Sequence, residues 1–224
     1  MAVKQEFYFD LVVCIDKTFK MSNQMDFLLD FINGFYDMAK AEIQSSGLKL
    51  KQLRVRVISY TDYNKQDNAV EDSGFFVLPE QSSELYTVLE QIEPQVICKN
   101  QGFSSGLEAL SVAIKGDYVD LSDKNGRQAI VVFSKNKPLS LQQSRLLENY
   151  PSDMPSSLEE LRNRWDTCSL DLNKKMLTLF CDMQKGENSW YPLSRWNKTM
   201  VIDTEDITEY TKDFILETIL IDII

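Results

Sequence analysis

The chain has 224 residues, 43% hydrophobic and 26% charged, with 24 basic and 34 acidic side chains for a formal charge of −10. That composition suits one well-cored globular domain, and the acidic balance, with no Lys/Arg-rich stretch, argues against nucleic-acid binding through phosphate contacts. The chain contains no histidine, which excludes Ser-His-Asp and Cys-His catalysis and any His-ligated zinc or iron site.

The opening Met-Ala-Val-Lys-Gln-Glu lacks the apolar run of a signal peptide, and no stretch approaches ~20 apolar residues, so a cytoplasmic protein without a membrane partner is expected. The first predicted strand is Phe7–Ile15, an apolar, β-branched run that stops at Asp16. A carboxylate delivered by a buried strand to a strand-to-helix loop is where open α/β sheets place their sites. A helix is predicted over Asn23–Ser45, where Met25, Leu28, Leu29, Ile32, Phe35, Tyr36, Ala39 and Ile43 recur at helical spacing before Gly47. Strand Leu53–Tyr60 follows, then a polar loop from Tyr60 to Gly74 and a short edge strand near Phe75–Leu78.

Further on, helices are predicted at Ser83–Ile92 and Ser104–Lys115, and a strand at Ala129–Phe133. Two more helices should span Ser140–Asn149 and Ser157–Leu172, the second behind a Ser156-Ser157-Leu158-Glu159-Glu160 cap. Strands Met176–Cys181 and Thr199–Ile202 and a helix at Tyr210–Ile223 complete the order. The alternation predicts an α/β fold: a three-layer αβα, Rossmann-like, doubly wound and mostly parallel sheet with an edge strand near Phe75–Leu78, in a single domain over residues 1–224. The cysteines at 14, 98, 168 and 181 form no C-x-x-C pair, and Cys14 and Cys181 read as core residues.

Four blocks carry a family resemblance. Asp16-Lys17-Thr18-Phe19-Lys20-Met21 resembles the Asp-x-Ser-x-Ser metal loop of von Willebrand factor A (VWA) domains. Arg54–Tyr63 looks like that family's second strand and following turn. Gln101-Gly-Phe-Ser-Ser-Gly-Leu-Glu-Ala-Leu110 is similar to its Gly-Gly-Thr-x-x-Gly helix entry, and Ile130–Pro138 to its strand ending in Ser-Asp-Gly-x-Pro. The chain looks most like the bacterial intracellular branch, including proteins encoded beside tellurium-resistance-type kinase and phosphatase genes. The resemblance implies a VWA-like fold, whose mostly parallel sheet has one antiparallel edge strand, a protein partner and, in the family, one Mg²⁺ held by oxygen ligands with a position left for a partner's carboxylate.

Carried over by residue, Asp16 and Thr18 remain, while Lys20, Phe103 and Lys135 fall where three other ligands belong. Asp62 lies near the site's edge. Two ammonium groups beside one carboxylate leave the local charge near zero or positive before any cation arrives. Like charges at roughly 4 Å repel by about 1 to 4 kcal/mol at effective dielectrics of 80 to 20. The expectation is a degenerate metal site, no cofactor, and no enzymatic activity. Lys20 or Lys135 would pair with Asp16 in the ion's place, or the lysines would form an edge that meets an acidic partner. The alternative is a Mg²⁺- or Mn²⁺-dependent binding module that uses Asp16, Thr18 and Asp62 with waters. A phosphotransfer enzyme built on Asp16 would want a second carboxylate where Thr18 stands. No dinucleotide or P-loop motif occurs, and the acidic balance makes Trp165, Trp190 and Trp196 packing residues rather than a nucleic-acid stacking platform.

Overall fold

The computed structural model describes residues 6–95, 102–118, 125–148, 150–168, 174–221 and 223. Cys98, Gln101 and the end of the helix expected to reach Leu172 lie outside them. In chain order the elements are β1 (Glu6–Asp16), α1 (Ser22–Ser45), β2 (Lys49–Tyr60), β3 (Val70–Leu78), α2 (Ser82–Leu89), β4 (Phe103–Ser104) and α3 (Gly106–Ile114). They continue with β5 (Gly126–Ser134), β6 (Lys137–Pro138), α4 (Leu141–Ser144), α5 (Leu158–Thr167), β7 (Lys175–Cys181), β8 (Thr199–Asp203) and α6 (Lys212–Leu220).

Six strands form one sheet in the order β3-β2-β1-β5-β7-β8. Only β3 runs antiparallel, against β2; the other pairs are parallel. The central strands are apolar on both faces because both faces are covered. Along β1, Phe9, Leu11, Val13 and Ile15 enter one core with Met25, Leu28, Phe31, Ile32 and Phe35 of α1 and Ile215 and Ile219 of α6. Val12 and Cys14 enter the other, with Leu107 and Leu110 of α3 and Leu161 and Trp165 of α5. The two-residue period of a strand makes this division. The expected three-layer fold is therefore present, with the VWA-like arrangement of one antiparallel edge.

The chain first winds from β1 outward to β2 and β3, and later from β5 outward to β7 and β8. Strand order thus reverses between β1 and β5, and the crevice beyond their carboxyl ends is where an open α/β sheet leaves room for a site. Asp16 and Ser134 are the last residues of these two strands.

Local boundaries differ by a few residues at several ends, and more in two stretches. The polar stretch after Tyr60 is a loop only to residue 69, since Val70–Glu71-Asp72-Ser73 already belongs to β3. An edge strand needs one buried face only, and its polar residues pair across it: Asp72 accepts from Arg56 Nε at 2.7 Å. The helix expected over Ser140–Asn149 is just α4. Ser140 caps it by accepting from Gln143 N and Leu141 docks in the core, but Leu146 is 85% exposed, so the stripe does not continue and the chain leaves in turns.

Candidate functional site

Asp16 and Thr18 are both fully buried. Asp16 Oδ1 accepts the backbone N–H of Thr18 at 3.0 Å, a local turn that points both side chains into the crevice. Three neutral side chains from two other loops converge on Asp16 Oδ2. Ser104 Oγ donates at 3.2 Å, Ser134 Oγ at 2.8 Å and Asn136 Nδ2 at 3.0 Å. Asn136 Nδ2 also donates to Thr18 Oγ1 at 2.6 Å. Burial raises the Asp16 pKa above the ordinary carboxylate value, and the hydrogen bonds from Thr18, Ser134 and Asn136 hold it down in part.

The supporting layer is equally specific. Ser134 Oγ accepts the backbone N–H of Asn136 at 3.2 Å, which turns residue 136 inward and leaves Lys135 half-buried at the rim. Trp190, fully buried, donates its indole N–H to the Asn136 carbonyl at 2.9 Å. The same ring presses on Gly106: a Cβ there would lie 2.5 Å from Trp190 Cζ2 and Cη2 and 3.3 Å from the Tyr60 hydroxyl. Glycine at the start of α3 is thus a close-approach requirement. β4 and β6 pair Phe103 with Lys137 and Ser104 with Pro138, locking the loop that carries Ser104 to the one that carries Asn136.

The other residues singled out from sequence surround this centre. Lys20 is exposed, its ammonium reaching over Gly102. Phe103 is 38% exposed, and its neighbour Ser104 is the residue that turns to Asp16. The Asp206 carboxyl is held below its ordinary pKa chiefly by hydrogen bonds from Thr208, and the charge of Lys135 adds to this. Asp62 is buried in the loop after β2, where its carboxylate accepts from Asn64 N at 2.9 Å and Asn64 Nδ2 at 3.1 Å. The expected pairing of Asp16 with Lys20 or Lys135 is corrected: among the described residues Asp16 forms no ion pair, and neutral donors surround it. Lys17 pairs instead with Glu71. Ser104, Ser134 and Asn136 are not among the site residues expected from the sequence, although all three lie inside the blocks that carry the resemblance.

Another buried acid lies behind the site. Glu108, in the first turn of α3, has no solvent exposure, and both its carboxyl oxygens, Ser144 Oγ and Tyr150 Oη are buried without a hydrogen bond of good geometry. Desolvation pushes Glu108 up to about 7; nearby Ser144 and Tyr150 hydroxyls temper the shift and Asp62 adds to it. Tyr63 and Tyr150 close over this corner with rings 5.8 Å apart, edge to face.

No family model and no curated protein matches the sequence. Solved structures do match. The pilus adhesin SpaC from Lactobacillus rhamnosus GG aligns with all of this chain at 12% identity and a TM-score of 0.60, over 31% of the adhesin. Proximal thread matrix protein 1 from the mussel byssus aligns with 98% of the chain at 9% identity and a TM-score of 0.56, over 47% of that protein. The chain thus spans about a third to a half of the length of these structures, and likeness at such identity shows the fold alone. Among the described residues, no helix is long and apolar enough to cross a membrane, and no group of three or more Cys, Asp or Glu residues is placed to hold a metal ion.

Proposed function

We propose that this is a non-catalytic, VWA-like protein-interaction domain whose crevice works without a metal ion. The enclosure of Asp16 carries this reading. Its Oδ2 accepts three hydrogen bonds, and an amide nitrogen stands between it and Thr18 Oγ1. A divalent ion wants several hard, anionic oxygens with free lone pairs. This donor set offers one carboxylate whose inner oxygen is already engaged, and N–H donors point where a cation would stand. As arranged, it does not fit Mg²⁺.

The rim then becomes the binding surface. Phe103 supplies an exposed aromatic anchor, and Lys20, Lys135 and Lys137 give the surrounding loops a positive edge suited to an acidic protein partner. Placement in a bacterial cytoplasmic set linked to kinase and phosphatase signalling or stress response belongs to the same proposal and rests on sequence resemblance. Affinity capture from the native host tests it, with wild type, Phe103→Ala and Lys135→Glu, each with and without chelator. A protein retained in chelator and lost with the rim variants is expected. Capture that requires Mg²⁺, or that recovers only nucleic acid or lipid, contradicts it.

One observation favours a second reading, a metal-dependent binding module. Asn136 Oδ1 is buried without a partner. A rotated amide would turn that oxygen toward Asp16 and Thr18 and create an oxygen-rich set with Ser104 and Ser134. Metal titration separates the two readings.

A further inference from the structure

Away from the crevice, α5 and β7 bring an amine and a thiol together. Lys175, the first residue of β7, is 1% exposed. Its ammonium donates to the Trp165 carbonyl, lies 4.3 Å over the Trp165 ring and stands 3.2 Å from Cys168 Sγ. Cys168, at the end of α5, is half-buried, and its thiol donates to the same carbonyl at 3.2 Å. Among the described residues no carboxylate pairs with Lys175. A buried ammonium without an anionic partner retains a desolvation cost that one carbonyl and an aromatic face offset only in part.

The geometry points to Cys168 and Lys175 as an oxidative cross-linking site that reacts with peroxide. In the first step Sγ takes one oxygen from hydrogen peroxide. The O–O bond breaks, a sulfenic acid and water form, and sulfur is oxidised as peroxide is reduced. In the second step Lys175 Nζ bonds to Sγ and the S–O bond breaks. Of the two protons the ammonium gives up, one leaves with the hydroxyl as water and the other passes to solvent. The product is a neutral sulfenamide that ties the end of α5 to the start of β7. Excess thiol reverses it by attack on sulfur, returning the amine.

The experiment uses the full chain with Cys98→Ser, so that no disulfide to Cys98 mimics the mass change. After treatment with hydrogen peroxide, intact-mass and peptide mass spectrometry should show the loss of two hydrogens. A single tryptic species should contain residues 168 and 175, uncleaved after Lys175, and dithiothreitol should abolish it. Lys175→Arg should give only oxygen-added Cys168. If the Cys98→Ser chain itself accumulates sulfinic or sulfonic acid at Cys168 with no linked peptide, the proposal is overturned, whether or not the Lys175 variant folds.

Discussion

Replacing Asn136 by Asp changes one nitrogen to oxygen at the centre of the site, where Nδ2 stands 3.0 Å from Asp16 Oδ2 and 2.6 Å from Thr18 Oγ1. Two ionised carboxylates at that separation would repel by about 5 kcal/mol at an effective dielectric near 20. Sharing a proton costs less. At about pH 7, protonating a carboxyl of ordinary pKa costs about 4 kcal/mol, and burial, which already raises the Asp16 pKa, makes this a ceiling. The sign follows from linkage: the folded pair holds a proton more tightly than the unfolded chain does. Asn136→Asp should therefore approach wild-type stability only near the ordinary carboxyl pKa, at about pH 4, and lose stability as pH rises, by about 1.4 kcal/mol per unit at most. Urea unfolding of both proteins at about pH 5 and about pH 7 measures it through the midpoints. A variant within about 0.5 kcal/mol of wild type at both values would refute the claim that Asn136 acts as the neutral donor between Asp16 and Thr18.

Two further outcomes are expected. Glu108, pushed from 4.5 to about 7, contributes stability that is full below its unfolded value and lost as pH rises toward and through about 7. The span corresponds to about 3 kcal/mol. Glu108→Gln should flatten this part of the pH–stability profile, and an unchanged slope between about pH 5 and about pH 7.5 would contradict the assignment. Gly106→Ala drives a methyl to 2.5 Å from the buried Trp190 ring and should cost about 1–3 kcal/mol by overpacking, with a shifted tryptophan emission. Unaltered melting and emission would show that Trp190 can move aside.

Much of the fold was legible because the central strands are covered on both faces and so read as unbroken apolar runs, β1 above all. The beginning of β2 was not legible, since Lys49–Gln52 alternate between exposed and half-buried. β3 was recognised only in its apolar second half, because an edge strand carries polar residues that read as loop. At the site, Asp16 and Thr18 were visible as the abrupt end of an apolar strand. Their partners were not. Ser104, Ser134 and Asn136 come from loops separated by 30 residues or more from one another or from Asp16, and serine and asparagine carry no distinctive sequence signature. In Ser134-Lys135-Asn136 the lysine is the more conspicuous residue by charge, yet the turn made by Ser134 Oγ aims Asn136 inward and leaves Lys135 at the rim. Similarly, the threonine position of the motif fell on Phe103, while the hydroxyl that reaches Asp16 belongs to the next residue.

Thermal unfolding of the wild-type chain with and without millimolar Mg²⁺ or Mn²⁺, beside Asp16→Ala, tests the central claim most directly. A ligand that binds only the folded state must raise the melting temperature. The wild-type melting temperature should be the same with either ion as without. A metal-dependent rise that disappears in Asp16→Ala would mean the amide of Asn136 rotates to admit an ion, and the crevice is a metal site after all.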